Sequence, residues 1–190
     1  MTVLKNTGAR YGLVTKSLHW IIFLLLLNQF AVATAMLHVP PGETVAGFTA
    51  GTLYNWHKSV GLIALAAACV RLVWRKTTWL PEWAPSLSAV EKRAIVWIER
   101  VLYLGMFLMP MSGFVFVMAG DYGVNFFSRW EMPRFIEPNS TAAALAQRTH
   151  EITAGLLAAG LLAHWFLIAR HQWMHGDRYV QRMLPFTHQN

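Results

Sequence analysis

Four long apolar segments alternate with shorter polar ones along the chain. The first three have at their centres WIIFLLLLNQFAVATAML, VGLIALAAACVRLVW and VLYLGMFLMPMSGFVFVMA, and the fourth carries LLAAGLLAH. Each segment reaches the roughly 20 residues that an α-helix needs to cross a bilayer, and none alternates with the period of a barrel strand. The pattern predicts four transmembrane helices, at residues 17–38, 54–75, 94–119 and 141–170.

Composition supports a membrane protein over a soluble helical bundle. The 190 residues are 55% hydrophobic and 13% charged, whereas about a quarter of the residues in a soluble domain are charged. No repeat or low-complexity tract divides the chain. We therefore predict an all-α integral membrane protein in which residues 1–190 form one four-helix bundle.

The first apolar segment also has to be compared with a cleaved signal peptide. Ala33-Thr34-Ala35 resembles a signal-peptidase site. The apolar run is nevertheless as long as a full span, whereas a signal core has roughly 7–15 residues. We expect this helix to be retained.

Lysine and arginine residues concentrate on one side of the predicted helices. That side holds Lys5, Arg10, Lys16, Arg71, Arg75, Lys76, Lys92, Arg93, Arg100, Arg170, Arg178 and Arg182. The other side holds Lys58, Arg129, Arg134 and Arg148. The positive-inside rule then predicts that both termini and the tail 171–190 are cytoplasmic.

The loops follow from this topology. The segment TWLPEWAPSLSAVEKR becomes a cytoplasmic link lying in the membrane interface, and residues 120–140 become an external loop. Asn139 and Ser140 are suitable caps for the fourth helix. The net charge of +7 is explained by topology and by anionic lipid, without a nucleic-acid partner.

Eight histidines are distributed unevenly over this topology. Four lie inside or just inside a span, where ionisable groups are costly and usually functional: His19, His57, His150 and His164. His38 lies at the outer end of the first helix. We expect the three tail histidines to be solvated: His171, His175 and His188.

The four intramembrane histidines fall at two depths. His19 and His164 lie near the cytoplasmic ends of their helices, and His57 and His150 lie near the outer ends. Fourteen residues separate His150 from His164, about four helical turns, so they share one face of the helix about 21 Å apart. The spacing predicts two stacked pairs, His19 with His164 and His57 with His150.

Two neutral imidazoles in an apolar cavity suit haem better than a free metal ion. Zinc and copper sites usually need three or four protein ligands, whereas haem needs only two axial ligands. The single cysteine, Cys69, and the lack of C-x-x-C-H in the sequence exclude covalent c-type attachment. We therefore predict two bis-histidine b-type haems, one in each pair.

Three residues near the histidines have two interpretations each. Gly61 lies four residues after His57 and Gly160 four before His164. Each glycine either lets a macrocycle approach the backbone or merely allows close helix packing. Arg71 either pairs with a propionate of the inner haem or extends to the membrane interface.

Outer cations also have two interpretations. Lys58 and Arg148 lie near the outer pair and are candidates for binding its propionates. Alternatively, together with Arg129 and Arg134, they give the outer mouth a positive field that attracts a small anion.

The third helix carries two further signals. Its methionines, which we expect to be flexible core residues more than axial ligands, are Met106, Met109, Met111 and Met118. Pro110 and Gly113 predict a kink around the cofactors.

Six segments of the chain are similar to the bacterial cytochrome b561 family, the small four-helix dihaem cytochromes of the inner membrane. They are SLHW, NWHKSVG, CVRLVWR, VLYLGMFLMPMSGF, the H-x13-H of the fourth helix and RYVQRMLP. The resemblance covers nearly the whole chain except the external loop, which varies in the family. It implies that His19 and His164 ligate the cytoplasmic haem and that His57 and His150 ligate the periplasmic haem.

Three functional classes follow. The resemblance implies an inner-membrane oxidoreductase that passes electrons from periplasmic superoxide to ubiquinone. A cytochrome b subunit that docks a periplasmic redox protein and exchanges electrons with the quinone pool has the same layout. A transporter of metal ions or protons is disfavoured, because Glu99 and Glu151 are the only carboxylates near the spans, at helix ends.

Overall fold

Four long α-helices form most of the computed structural model, which describes residues 3–174, 176 and 178–185. They are α1 (Leu13–His38), α2 (Ala50–Thr77), α3 (Ala89–Ala119) and α4 (Ser140–Met174), and a short α5 (Tyr179–Met183) follows. The four long helices have the length and hydropathy to cross a membrane. The predicted helical membrane architecture is therefore confirmed.

The caps extend the helices beyond their apolar segments. α3 begins well before residue 94, because Ser88 and Glu91 form a capping box in which each side chain accepts from the other's backbone N–H. At the start of α4, Asn139 Oδ1 accepts from Ala142 N at 2.9 Å, as the sequence predicts. Hydropathy detects the lipid-covered part of a helix, whereas these polar caps determine where it begins.

The helices pack as two hairpins, α1 with α2 and α3 with α4, which are joined by smaller contacts between α2 and α3. A small core of Ile22, Ala68 and Met106 connects the first three helices. Within the described residues, neither α1 nor α2 packs extensively on α4. The interface between the two hairpins is therefore the less closely packed one.

Most other large apolar side chains of the helices point away from the bundle. Lipid covers such side chains in a membrane-spanning protein, and the helices satisfy their own backbone hydrogen bonds. Examples with more than half of their surface exposed are Leu24, Val70, Leu104, Leu156 and Leu162.

The described N-terminal segment, the α2–α3 link and the segment after α4 meet at one end of the bundle, which we name the link face. Glu82 N donates to the Gly8 carbonyl at 2.8 Å, which fixes the link to the N-terminal segment. Trp20 Nε1 donates to the Met183 carbonyl at 2.8 Å, so the segment after α4 folds back onto α1.

The opposite end, which we name the loop face, carries a small hairpin. Its antiparallel strands are β1 (Asn125–Phe126) and β2 (Trp130–Glu131). Phe127 and Ser128 in the turn have φ of +49° and +57°, and the Phe127 N–H donates to Ser59 Oγ of α2 at 2.8 Å. The sequence did not predict these strands, because two residues are too few to show alternation.

Candidate haem sites

The four intramembrane histidines meet in two pairs between the hairpins. The ring centroids of His19 and His164 are 6.1 Å apart, and those of His57 and His150 are 6.2 Å apart. All four side chains are half-buried. The structure thus brings together the histidines that lie at matching depths in their helices. α4 contributes one histidine to each pair.

These separations fit two imidazoles that ligate one metal from opposite sides. An imidazole nitrogen binds a first-row metal at about 2 Å, which puts the centroids of two opposed rings about 6 Å apart. Across the described residues, no cluster of three or more His, Cys, Asp or Glu has the geometry of a metal site. A donor set of two imidazoles suits haem, because the porphyrin supplies the other four ligands.

A carbonyl of α3 orients His150. Its Nδ1 lies 2.8 Å from the Met109 carbonyl oxygen. When the Nδ1–H donates to this oxygen, the lone pair is on Nε2, the tautomer required for ligation through Nε2.

Gly113 makes room for the same ring. A Cβ at this position would lie 2.9 Å from both Cε1 and Nδ1 of His150, too close for an unshifted imidazole. The sequence suggested that Gly113 contributes to a kink. The structure shows that Gly113 contacts His150. Hydropathy and helix periodicity do not reveal this contact, because the partner is on another helix.

Two other glycines bring α3 and α4 close together. A Cβ on Gly105 would lie 2.8 Å from Leu157 Cδ1, and one on Gly160 would lie 3.1 Å from Leu102 Cδ2. Gly160 therefore serves helix packing. Of the two interpretations of Gly160, the contact with Leu102 of α3 favours helix packing over the approach of a macrocycle.

Gly61 has a more open environment. A Cβ there would meet only the Gln29 amide nitrogen, at 3.8 Å, and this nitrogen also donates to the His57 carbonyl at 3.1 Å. Gln29 Oε1 and His57 Nδ1 are both buried without a hydrogen-bond partner. The space and the unpaired ring nitrogen are compatible with a group bound beside His57.

Arg71 lies at the depth of the other pair. Its Nη2 is 3.3 Å from His19 Nδ1, and its guanidinium carbon lies 6.0 Å from the centroid of the Tyr103 ring. The side chain is partly buried beside the imidazole. It is therefore a cation next to the His19–His164 pair.

The cations of the loop face are mostly engaged. Lys58 Nζ donates to the Gly123 carbonyl at 2.9 Å and holds the start of the loop. Arg148 pairs with Glu151 at 3.4 Å, and Arg134 pairs with Asp121. Arg129 is exposed and lines a cleft of about 480 Å³ with neighbours that include Trp56.

His171 is a correction to the predicted solvated tail. It lies within α4, its side chain is only 3% exposed, and its Nε2 is 3.1 Å from Glu91 Oε1. The same oxygen accepts from Arg170 Nη1 at 2.8 Å. The prediction was wrong because the carboxylate comes from α3, 80 residues earlier in the chain. His175 and His188 lie outside the described residues.

The methionines of α3 do not share one environment. Met106 and Met118 are buried at 8% and 2% exposure, whereas Met111 is 54% exposed. Met109 contributes its backbone carbonyl to His150.

Four membrane helices with a pair of facing imidazoles at each of two depths define a membrane cytochrome of the b type. A family model described as prokaryotic cytochrome b561 matches residues 10–186, and the chain belongs to this family. The chain is also similar to cytochrome b561 homolog 2 of Escherichia coli (strain K12). The two are 24% identical over 186 residues, which cover 94% of this chain and 93% of the relative.

Family membership and the four spans establish the general role. The protein is a multi-pass protein of the bacterial inner membrane. It binds b-type haem and transfers electrons across the membrane.

Proposed function

We propose that the chain binds two b-type haems, one of which His19 and His164 would hold and the other of which His57 and His150 would hold. The observation that carries the proposal is the ring-centroid separation, 6.1 Å in one pair and 6.2 Å in the other. Each pair also bridges the interface where α4 packs little on α1 and α2. A loosely packed interface of this kind accommodates a planar group more readily than an interface that is closely packed throughout.

Two histidines at each site would leave a bound haem iron no free position for oxygen, so the chemistry that the group would supply is the transfer of single electrons. The chain's own residues hold this arrangement. The Met109 carbonyl orients the His150 ring, and Gly113 leaves space for it. The two sites on α4 form a relay across the membrane.

Arg71 neutralises a propionate of the link-face haem in this proposal. If His19 held the iron through Nε2, its Nδ1 would carry a proton and would repel a guanidinium 3.3 Å away. We therefore expect Arg71 to turn from the ring toward an anion. A carboxylate of the haem is the anion available at that depth.

The link face is cytoplasmic in the proposed orientation. Twelve of the sixteen Lys and Arg residues belong to this side in the sequence, and the structure brings the N-terminal segment, the link and the segment after α4 together there. Both termini are then cytoplasmic by the positive-inside rule. The loop face, with the His57–His150 pair, is periplasmic.

We propose superoxide as the periplasmic electron donor and ubiquinone as the acceptor in the membrane. The exposed guanidinium of Arg129 and the cleft beside Trp56, which directly precedes His57, support an anionic donor. Arg134 and Arg148 contribute less, because each has an acidic partner. A field of this kind raises the rate at which a small anion arrives.

Haem stoichiometry tests the ligand assignment. The pyridine haemochrome assay should give two haems per wild-type chain. The same haem should be lost in His19→Ala and in His164→Ala. The other haem should be lost in His57→Ala and in His150→Ala. Redox titration identifies which haem remains in each variant. The matched control is His38→Ala, whose ring lies exposed on the same helix as His19. Two haems retained in His164→Ala would contradict the assignment.

The donor and acceptor are tested separately, with purified holoprotein. Superoxide from a defined source should reduce ubiquinone catalytically, and the rate should fall when either haem is removed. The purified dihaem protein could instead be inactive alone and be reduced by a co-purified periplasmic protein. This result would favour the alternative function, a cytochrome b subunit that docks a periplasmic redox protein. That result would reject superoxide as donor and leave the haem assignment intact.

A further inference from the structure

A cleft of about 380 Å³ lies at the link face, between the α2–α3 link and the first turns of α3. It is separate from the histidine pairs and from the segment after α4. Three cations and three apolar side chains line it: Lys92, Arg93, Arg100, Trp83, Val96 and Trp97.

The positive charge of this cleft is not compensated. Within residues 3–174, 176 and 178–185, no ion pair involves its three cations. The two acidic residues nearest in sequence are engaged elsewhere, Glu91 with Arg170 and Glu99 with Arg75. Three unpaired cations on one wall of a cleft attract an anion.

The cleft combines this charge with interfacial aromatic groups. Trp97 is 63% exposed and Trp83 is 47% exposed, and the guanidinium carbon of Arg100 lies 5.0 Å from the Trp97 ring centroid. Tryptophan is enriched at the level of lipid headgroups. Lys92 and Arg93 lie just before the predicted span 94–119 and Arg100 lies in its first two turns, so that the cleft opens where a bilayer changes from headgroup to hydrocarbon.

We propose that this cleft binds the headgroup of an anionic phospholipid. The guanidinium groups of Arg93 and Arg100 and the ammonium of Lys92 bind the phosphate and its net negative charge. Val96 and the indole of Trp97 contact the glycerol and upper acyl chain. A zwitterionic headgroup binds less tightly, because its own ammonium offsets the phosphate charge that the three cations attract.

Native mass spectrometry of the detergent-solubilised holoprotein tests the site. Phosphatidylglycerol should bind about tenfold or more tightly than phosphatidylcholine of the same acyl chains. The variant Lys92→Gln/Arg93→Gln/Arg100→Gln should lose this preference. A control with the same charge loss, Lys5→Gln/Arg10→Gln/Lys76→Gln, removes exposed cations of the same face and should retain it.

Three results would overturn the proposal. The first is equal affinity of the wild-type protein for phosphatidylglycerol and phosphatidylcholine. The second is an equal loss of the preference in the two triple variants, which would indicate that lipid is attracted by the charge of the whole link face and not by the cleft. The third is displacement of phosphatidylglycerol by millimolar inorganic phosphate, which shows a phosphate site without a lipid. An unchanged haem spectrum verifies folding, and if the triple variant misfolds, the single variant Arg100→Gln must still weaken phosphatidylglycerol binding.

Discussion

Gly113 and His150 are matched across the α3–α4 interface, since a Cβ on residue 113 would lie 2.9 Å from two atoms of the imidazole. The ring occupies the space of the missing side chain and reaches the Met109 carbonyl at 2.8 Å. A histidine that ligates a metal needs a fixed ring and tautomer. Residues outside the ligand set therefore determine whether His150 can ligate.

Gly113→Ala should displace the His150 ring and reduce haem content at the loop-face site. The added methyl group needs a shift of the imidazole or of the helix, and a tightly packed interface permits little. We expect haem per chain to fall from two toward one in the pyridine haemochrome assay. Gly155→Ala in α4 is the matched control, because no atom lies within 4 Å of its Cβ. Equal haem content in the two variants would refute the proposed role of Gly113.

Gly105→Ala should destabilise the α3–α4 hairpin by about 1–3 kcal/mol, the usual cost of overpacking. Its Cβ would lie 2.8 Å from Cδ1 of Leu157, whose side chain is 1% exposed. Leu157→Ala alone should cost about 2–5 kcal/mol. SDS titration of the single and double variants measures the coupling, and the double variant should lose less than the sum. Additive losses would show that the two residues are independent.

Arg71→Gln should lower the midpoint potential of the link-face haem by tens of millivolts. Removing a nearby cation disfavours the reduced state, which carries one negative charge more than the oxidised state. Arg71→Lys should restore most of the potential. The control is Lys76→Gln, which removes an exposed cation five residues after Arg71 and should leave the potential unchanged. Redox titration followed at the α-band measures the change. A shift confined to the other haem would contradict the placement of Arg71.

Arg129→Gln should slow ubiquinone reduction by superoxide at low salt, by about threefold or more, by weakening attraction of the anion. The loss should fade as ionic strength rises, because salt screens exposed charges. Arg134→Gln should have a smaller effect, because Asp121 already offsets the charge of Arg134. Rates measured from low to high salt test this. A loss independent of salt would place Arg129 in a structural role.

The loop-face cations show where charge reasoning from sequence stops. Arg129, Arg134 and Arg148 are equivalent as sequence letters, but two have acidic partners in the structure. Lys58 is separated by 65 residues from the carbonyl it donates to. The Arg148–Glu151 pair is local to one helix, whereas the Arg134 and Lys58 contacts depend on how the loop folds and on where it lies against α2. Neither hydropathy nor charge counting reports those two contacts.

His171 illustrates the same limit at the other end of the bundle. Its position after the last apolar segment suggested solvent. Its burial against Glu91 depends on the register between α3 and α4, which glycines such as Gly105 set through contacts with the facing helix. Register is a property of two helices together.

The sequence by itself determined the number of spans, their order and the two depths of histidine, because apolar length and helical rise are local properties of a chain in a membrane. The tertiary structure decided which neighbours act on each histidine: a carbonyl and a glycine of α3 on His150, and a guanidinium of α2 on His19. These contacts join residues 41, 37 and 52 positions apart. Only the packing of complete helices brings such residues together.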